Sequence, residues 1–193
     1  MPRTSTDTKS RILKAARMLY STHGCDGTTL GDIITASGIT KGAFYHYFKS
    51  KESLCEQILD EVTGEYEQLT ESISGDAEPI ERLRQLIGKL AELNSSGEWI
   101  NCRLILRISA DSHEANPKIQ RKIREFWQWY SGVFEELVEQ CRAVGQFNSK
   151  LDAKTQTRLL MSLMAGTITL ERIRPSESNF TELAETIIQT LQA

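Results

Sequence analysis

The chain has 193 residues, 39% hydrophobic and 25% charged, with a net charge of −3. That length buries roughly 70% of the unfolded surface in one or two domains, and no run of about 18 apolar residues is present to span a membrane. Four cysteines (25, 55, 102, 141) and three histidines (23, 46, 113) are scattered along it, which argues against a disulfide framework and against a metal centre.

The charge is unevenly placed. Residues 1–54 carry +4 and residues 55–193 carry −7, so attraction to a polyanion is confined to the head of the chain. The first residues, Met1 to Thr6, hold no apolar leader segment, and the expected location is cytoplasmic.

Ile12, Ala15, Ala16 and Leu19 share one face of a helix expected from about Thr8 to His23 and stopped by Gly24. Leu30, Ile33, Ile34 and Ser37 then recur at helical spacing, so Leu30 to Ser37 reads as a two-turn amphipathic helix. Thr29 is placed to cap it, with Asp32 completing a capping box. Gly38 ends it, because the chain must turn through a left-handed conformation that disfavours a Cβ. Thr40 caps a second helix, Lys41 to about Phe48.

That second helix is oddly composed. Gly42 costs about 1 kcal/mol against alanine in a helix interior, which makes sense where the backbone must come close to a partner. Tyr45, His46 and Tyr47 set three polar tips in a row, more than one buried face can satisfy, while Phe44 and Phe48 form the core-facing pair. Two helices around a tight turn, the second rich in polar tips, form a helix-turn-helix whose second helix enters the DNA major groove. Thr40, Lys41 and Gly42 are expected near base edges, Tyr45, His46, Tyr47 and Lys51 beside phosphates, and Thr29 among the DNA-binding residues. Lys9 and Arg11 are expected near the DNA backbone.

These residues resemble the TetR family of bacterial transcription regulators. The resemblance rests on Thr28-Thr29, Ala36-Ser37-Gly38-Ile39-Thr40, Lys41-Gly42-Ala43-Phe44-Tyr45-His46-Tyr47-Phe48 and Lys51-Glu52-Ser53-Leu54. The order of His46 and Tyr47 departs from the common pattern. The resemblance implies an all-α fold of about nine helices. Its parts are a three-helix DNA-binding domain at residues 1–54 and a helical effector-binding and dimerisation domain at residues 55–193.

Beyond the motif a long helix is expected from Lys51 to Ile73, then a linker at Ser74 to Pro79. Ile80, Leu83, Leu86, Ile87 and Leu90 mark the next helix, ended near Asn94. The stretch from Ile100 to Asp111 is nearly apolar and reads as a central buried helix. Asn116-Pro117 opens a helix to about Val144, Asp152 opens another to Ile173, and Asn179 or Thr181 opens the last, through Leu191. No β-alternating run or internal repeat occurs.

Phe126, Tyr130, Phe134, Leu137, Cys141 and Val144 form one stripe, with Trp127 beside it. It is either plain core or the wall of an effector cavity. Cys102, followed by Arg103, and Leu106 lie on the nearly apolar helix. Here Asn101-Cys102-Arg103-Leu104-Ile105-Leu106 resembles a TetR branch that senses electrophiles through cysteine, and Arg103 with the positive helix end would favour a nucleophilic thiolate. The expected effector residues are therefore Cys102, Leu106, Trp127, Tyr130, Phe134 and Cys141. The family resemblance implies a four-helix dimer interface from the last two helices, with Leu163, Gly166, Leu170, Leu183, Ile187 and Leu191 as candidates; the alternative is that these helices bury this surface within the monomer.

The function expected is a dimeric repressor on a palindromic double-stranded operator, released by a small-molecule or electrophilic effector, with no cofactor and no metal. The alternatives are an effector-free architectural DNA binder and a thiol enzyme using Cys102 or His113. The sequence holds no nucleophile elbow, phosphate loop or paired carboxylates to favour an enzyme.

Overall fold

The computed structural model describes residues 5–73, 75–95, 100–111, 116–147, 150–173 and 180–192. Nine helices and no strands occur among them: α1 (Ser5–His23), α2 (Leu30–Ser37), α3 (Lys41–Tyr47), α4 (Lys51–Glu71), α5 (Pro79–Ser95), α6 (Asn101–Asp111), α7 (Pro117–Ala143), α8 (Ala153–Ile173) and α9 (Phe180–Gln192). The protein is all-α, as its periodicity predicts. His113 lies outside the described residues.

Local chemistry explains most of the boundaries. The chain leaves α1 through Gly24 at φ 74° and α2 through Gly38 at φ 61°, and it turns after α7 through Gly145 at φ 74°. Asp152 accepts from the Thr155 amide at 2.7 Å and starts α8. The aspartate is thereby held ionised below its ordinary range, first by that backbone hydrogen bond and then by the Thr155 hydroxyl. Two expectations shift. α4 stops at Glu71, short of Ile73. α7 stops at Ala143, so Val144 falls past the helix and is 57% exposed, off the apolar stripe.

The helices gather into two compact units. The first comprises residues up to Gly64 together with Ile100–Glu125. Its core is built from Ile12, Ala16 and Tyr20 of α1, Ile33, Phe44, Leu54, Ile58 and Val62, with Ile105 and Ile108 of α6. α6 packs on α1. It is amphipathic and not uniformly buried: Cys102, Leu104, Ile105 and Ile108 point inward while Arg107 is exposed. Arg17 and Glu61 pair at 3.1 Å, and Lys122 pairs with Asp60.

The second unit comprises Glu65–Trp99 and Phe126–Ala193. α9 packs against α5 and α8, around Leu83, Leu86, Ile87, Leu90, Leu160, Met164, Ile187 and Ile188. Arg84 reaches from α5 to Glu185 of α9 at 3.1 Å. Among the described residues no helix is long and apolar enough to cross a membrane.

Candidate nucleic-acid interface

The recognition unit is framed by two N-terminal caps. The Thr29 hydroxyl accepts from the Asp32 amide at 3.2 Å, and the Asp32 carboxylate accepts from the Thr29 amide at 2.8 Å and its hydroxyl at 2.7 Å. These hydrogen bonds, the hydroxyl's first and the amide's second, hold Asp32 below its ordinary carboxylate range. Thr29 is therefore engaged as the α2 cap. Thr40 caps α3 by accepting from the Ala43 amide at 3.2 Å, which leaves its hydroxyl proton for an outside acceptor.

α3 has one inward side chain and several outward ones. Phe44 is fully buried, with the Phe48 ring 5.7 Å away. Lys41, Gly42, Tyr45 and His46 are exposed, and Tyr47 is half-buried. The Tyr45 ring stands edge-on to Phe44 at 5.5 Å with half its surface in solvent. His46 and Tyr47 meet edge to face at 4.8 Å. A Cβ placed on Gly42 would meet nothing nearer than 4.0 Å. The fold itself gives no reason for glycine there.

Three basic residues expected at DNA also hold the unit together. The Arg11 guanidinium donates to the carbonyls of Ser37 and Gly38, closing the C-terminus of α2 from α1. The Lys9 ammonium lies 5.9 Å over the Phe48 ring. The Lys51 ammonium turns inward, donating to the Cys25 carbonyl at 2.8 Å and the Thr28 carbonyl at 3.0 Å. Lys51 thus acts as a clamp, with two of its three ammonium donors on carbonyls. Two carbonyls at the end of a loop need donors, and a flexible stem at the start of α4 supplies them. Sequence reasoning missed these clamps, because a long side chain's destination is a tertiary fact.

The residues expected to meet an effector divide between the units. Cys102 and Leu106 belong to α6 in the first; Trp127, Tyr130, Phe134 and Cys141 belong to α7 in the second. Around α7 the rings form a continuous cluster: Tyr66 lies 5.2 Å from Phe126 and 5.1 Å from Tyr130, and Tyr130 lies 5.1 Å edge-on to Phe134. Phe134 and Cys141 are fully buried, and burial pushes the Cys141 thiol up to about 11. Cys102 is 5% exposed. All four cysteines are free of disulfides and buried.

The expected dimer residues also divide. Leu163 and Leu170 are 46% and 54% exposed, and Gly166 lies on the same exposed face of α8. Leu159 and Ile173 extend this stripe at 44% and 66%. Ile187 and Leu191, by contrast, are 4% and 6% exposed, because α9 turns them into its own protomer against α5 and α8. They are corrected to core. The Leu183 side chain lies outside the described residues.

Two family models together account for residues 12–193. "Bacterial regulatory proteins, tetR family" matches 12–58, and "YsiA-like protein, C-terminal region" matches 59–193. The HTH-type transcriptional repressor KstR2 of Rhodococcus jostii is 27% identical over 157 residues, covering 79% of this chain and 74% of its own. The HTH-type transcriptional regulator LmrA of Bacillus subtilis is 25% identical over 167 residues, covering 85% and 86%. Among solved structures, a TetR-family regulator from Agrobacterium tumefaciens superposes with a TM-score of 0.87 at 18% identity, covering 98% of this chain and all of that one. The reduced form of E. coli NemR gives 0.75 at 21% identity, covering 96% and 98%. Helix order, cap geometry and both family matches agree: the chain belongs to the TetR family of bacterial transcriptional regulators.

Proposed function

We propose that this chain is a repressor that holds a palindromic operator as a dimer and lets go when a small molecule engages its body. The single observation that carries the DNA half is α3, where Lys41, Gly42, Tyr45 and His46 face outward while Phe44 alone is buried. Thr40, Lys41 and Gly42 are assigned to base edges, and Tyr45, His46 and Tyr47 to phosphates. We divide the chain into a DNA-binding head at 1–54 and an effector-binding and dimerising body at 55–193. Cytoplasmic placement goes with access to DNA.

Two recognition helices must sit about 34–36 Å apart to read successive major-groove faces. The exposed α8 stripe Leu159, Leu163, Gly166, Leu170 and Ile173 supports pairing of two copies, since a run of apolar side chains at helical spacing in solvent calls for a cover.

Release needs a route to the head. Arg107 of α6 donates to the His23 carbonyl at 3.5 Å and pairs with Asp111, whose carboxylate occupies the space a Cβ on Gly24 would fill. A shift of α6 therefore moves the end of α1 and the loop leading to α2. Cys102 lies on that same helix, which supports an electrophile as one class of effector. The ring cluster around Tyr66, Phe126 and Tyr130 supports an apolar ligand as the other. A coupling of about 1–3 kcal/mol gives roughly 5–150-fold release.

The test is operator selection from random double-stranded DNA, followed by binding of the selected duplex with lipophilic or thiol-reactive compounds added. A palindromic site bound two copies at a time, and released by one compound class, is expected. Binding that no such compound weakens would favour an architectural role. A Cys102→Ser protein that still responds to electrophiles would remove the thiol route.

A further inference from the structure

α1 carries a second stripe beside the one it buries. Ile12, Ala16 and Tyr20 point into the core. Arg11, Lys14, Ala15, Met18, Leu19 and Thr22 repeat at helical spacing along the neighbouring face. α2 packs against α1, and between this face and Ala36 and Ser37 of α2 lies a cleft of about 480 Å³. That volume is within the roughly 300–1,000 Å³ of small-molecule sites. Its middle is apolar, made of Ala15, Met18, Leu19 and Ala36. Met18 is 52% exposed, a flexible thioether left in solvent and able to settle on an apolar or aromatic guest.

The cleft is electrically polarised. Arg11 and Lys14 stand one turn apart at one end, and no acid lines the cleft. Both Arg11 hydrogen bonds, to the Ser37 and Gly38 carbonyls, leave from Nη2. Lys14 is exposed, and among the described residues no carboxylate pairs with either cation. Beyond the apolar middle a second hollow of about 440 Å³ shares Leu19 and Ala36 and is lined by His23 and Asp32. The Asp32 carboxylate repels a second negative charge at that end. The groove therefore suits a guest with one anionic end and an uncharged body.

We propose that the α1–α2 cleft is a ligand site for an apolar monocarboxylate, whose carboxylate takes Arg11 and Lys14 while its body covers Ala15, Met18, Leu19 and Ala36. From Lys14 to Thr22 the stripe runs roughly 12 Å. A phenyl ring on a short alkyl acid has that length.

Binding there has a short route to the reading helix. A carboxylate held by two guanidinium nitrogens, side-on or end-on, must include Nη2, whose protons the Ser37 and Gly38 carbonyls now hold. Charge-assisted hydrogen bonds are about twice as strong as those to neutral carbonyls, so the ligand draws Arg11 off the turn. The turn at Gly38 loosens, and with it the placing of α3. The site is distinct from the effector site of the body, and only its coupling to DNA rests on the repressor reading.

The experiment uses the full chain with methyl-labelled methionine, the Met18 methyl resonance assigned by Met18→Leu, and phenylhexanoate as the probe. Expected is a saturable ring-current shift of the Met18 methyl, lost in Lys14→Glu and in Ala36→Glu, both substitutions at exposed positions. A derivative with a second carboxylate at the para position of the ring should bind about tenfold more weakly. A Met18 methyl unmoved at millimolar probe would overturn the site. So would equal binding of the monoanion and the dianion, or binding to both variants as tight as to the parent. At saturation, affinity for the selected operator should fall roughly fivefold or more, and the fall should shrink in both variants. Release undiminished in both would overturn the coupling to the head. The methyl shift is read without DNA, so a chain that bound no operator would still test the site.

Discussion

The Arg11 guanidinium donates to the Gly38 carbonyl at 3.0 Å, so the first helix closes the turn of the helix-turn-helix from across the domain. Gly38 itself sits at φ +61°, and a Cβ there would lie 2.8 Å from the same guanidinium. Gly38→Ala therefore meets both backbone strain and a displaced arginine. We expect a loss of about 1–2 kcal/mol of stability, read by urea unfolding. Arg11→Met, which keeps the stem but not the donors, should lose a smaller amount at the same turn.

Lys51→Ala removes the clamp on Cys25 and Thr28. Operator affinity should fall because the loop before α2 loosens, and by the same factor at every salt concentration. Titrations across a salt series decide it. A salt dependence shallower by about one unit would return Lys51 to the phosphate-binding residues.

The Asp32 carboxyl is lowered in the folded protein from its ordinary 3.8 by the Thr29 hydroxyl and amide. A group lowered on folding adds stability above its unfolded value and loses it as pH falls through the folded value. Asp32→Asn should therefore destabilise the chain at neutral pH, with the difference from the parent shrinking as the pH is lowered through and below 3.8. Unfolding midpoints from pH 7 down to about 2 measure it. A constant difference across that window would mean that the charge is not what Thr29 recognises.

Gly42→Ala separates folding from reading. Open space around the added methyl means that the fold should gain up to about 1 kcal/mol from helix propensity. If the backbone there approaches DNA, operator affinity should drop about tenfold at the same time. Thermal unfolding and DNA titration of one protein sample report both quantities.

The local parts of this fold were legible in the sequence. Thr29, Asp32, Gly38 and Thr40 act within a few residues of themselves, so spacing alone places both caps and the turn. Side chains whose partners lie far along the chain were not legible. Lys51 and Arg11 read only as contacts to the DNA backbone, because their stems reach carbonyls that no local pattern marks. Ile187 and Leu163 read alike, since an apolar stripe states that burial is needed and not which surface supplies it.

That α3 presents an outward reading surface is tested most directly by Lys41→Ala, through the salt dependence of operator binding beside the unfolding midpoint. Lys41 is exposed, so unchanged stability with weaker binding is expected. If Lys41 reads a base edge, its removal should weaken the selected site far more than random DNA. If it holds a phosphate instead, the salt slope should become shallower by about 0.9. Operator affinity and salt slope both equal to the parent's would contradict a reading role for α3 at this position.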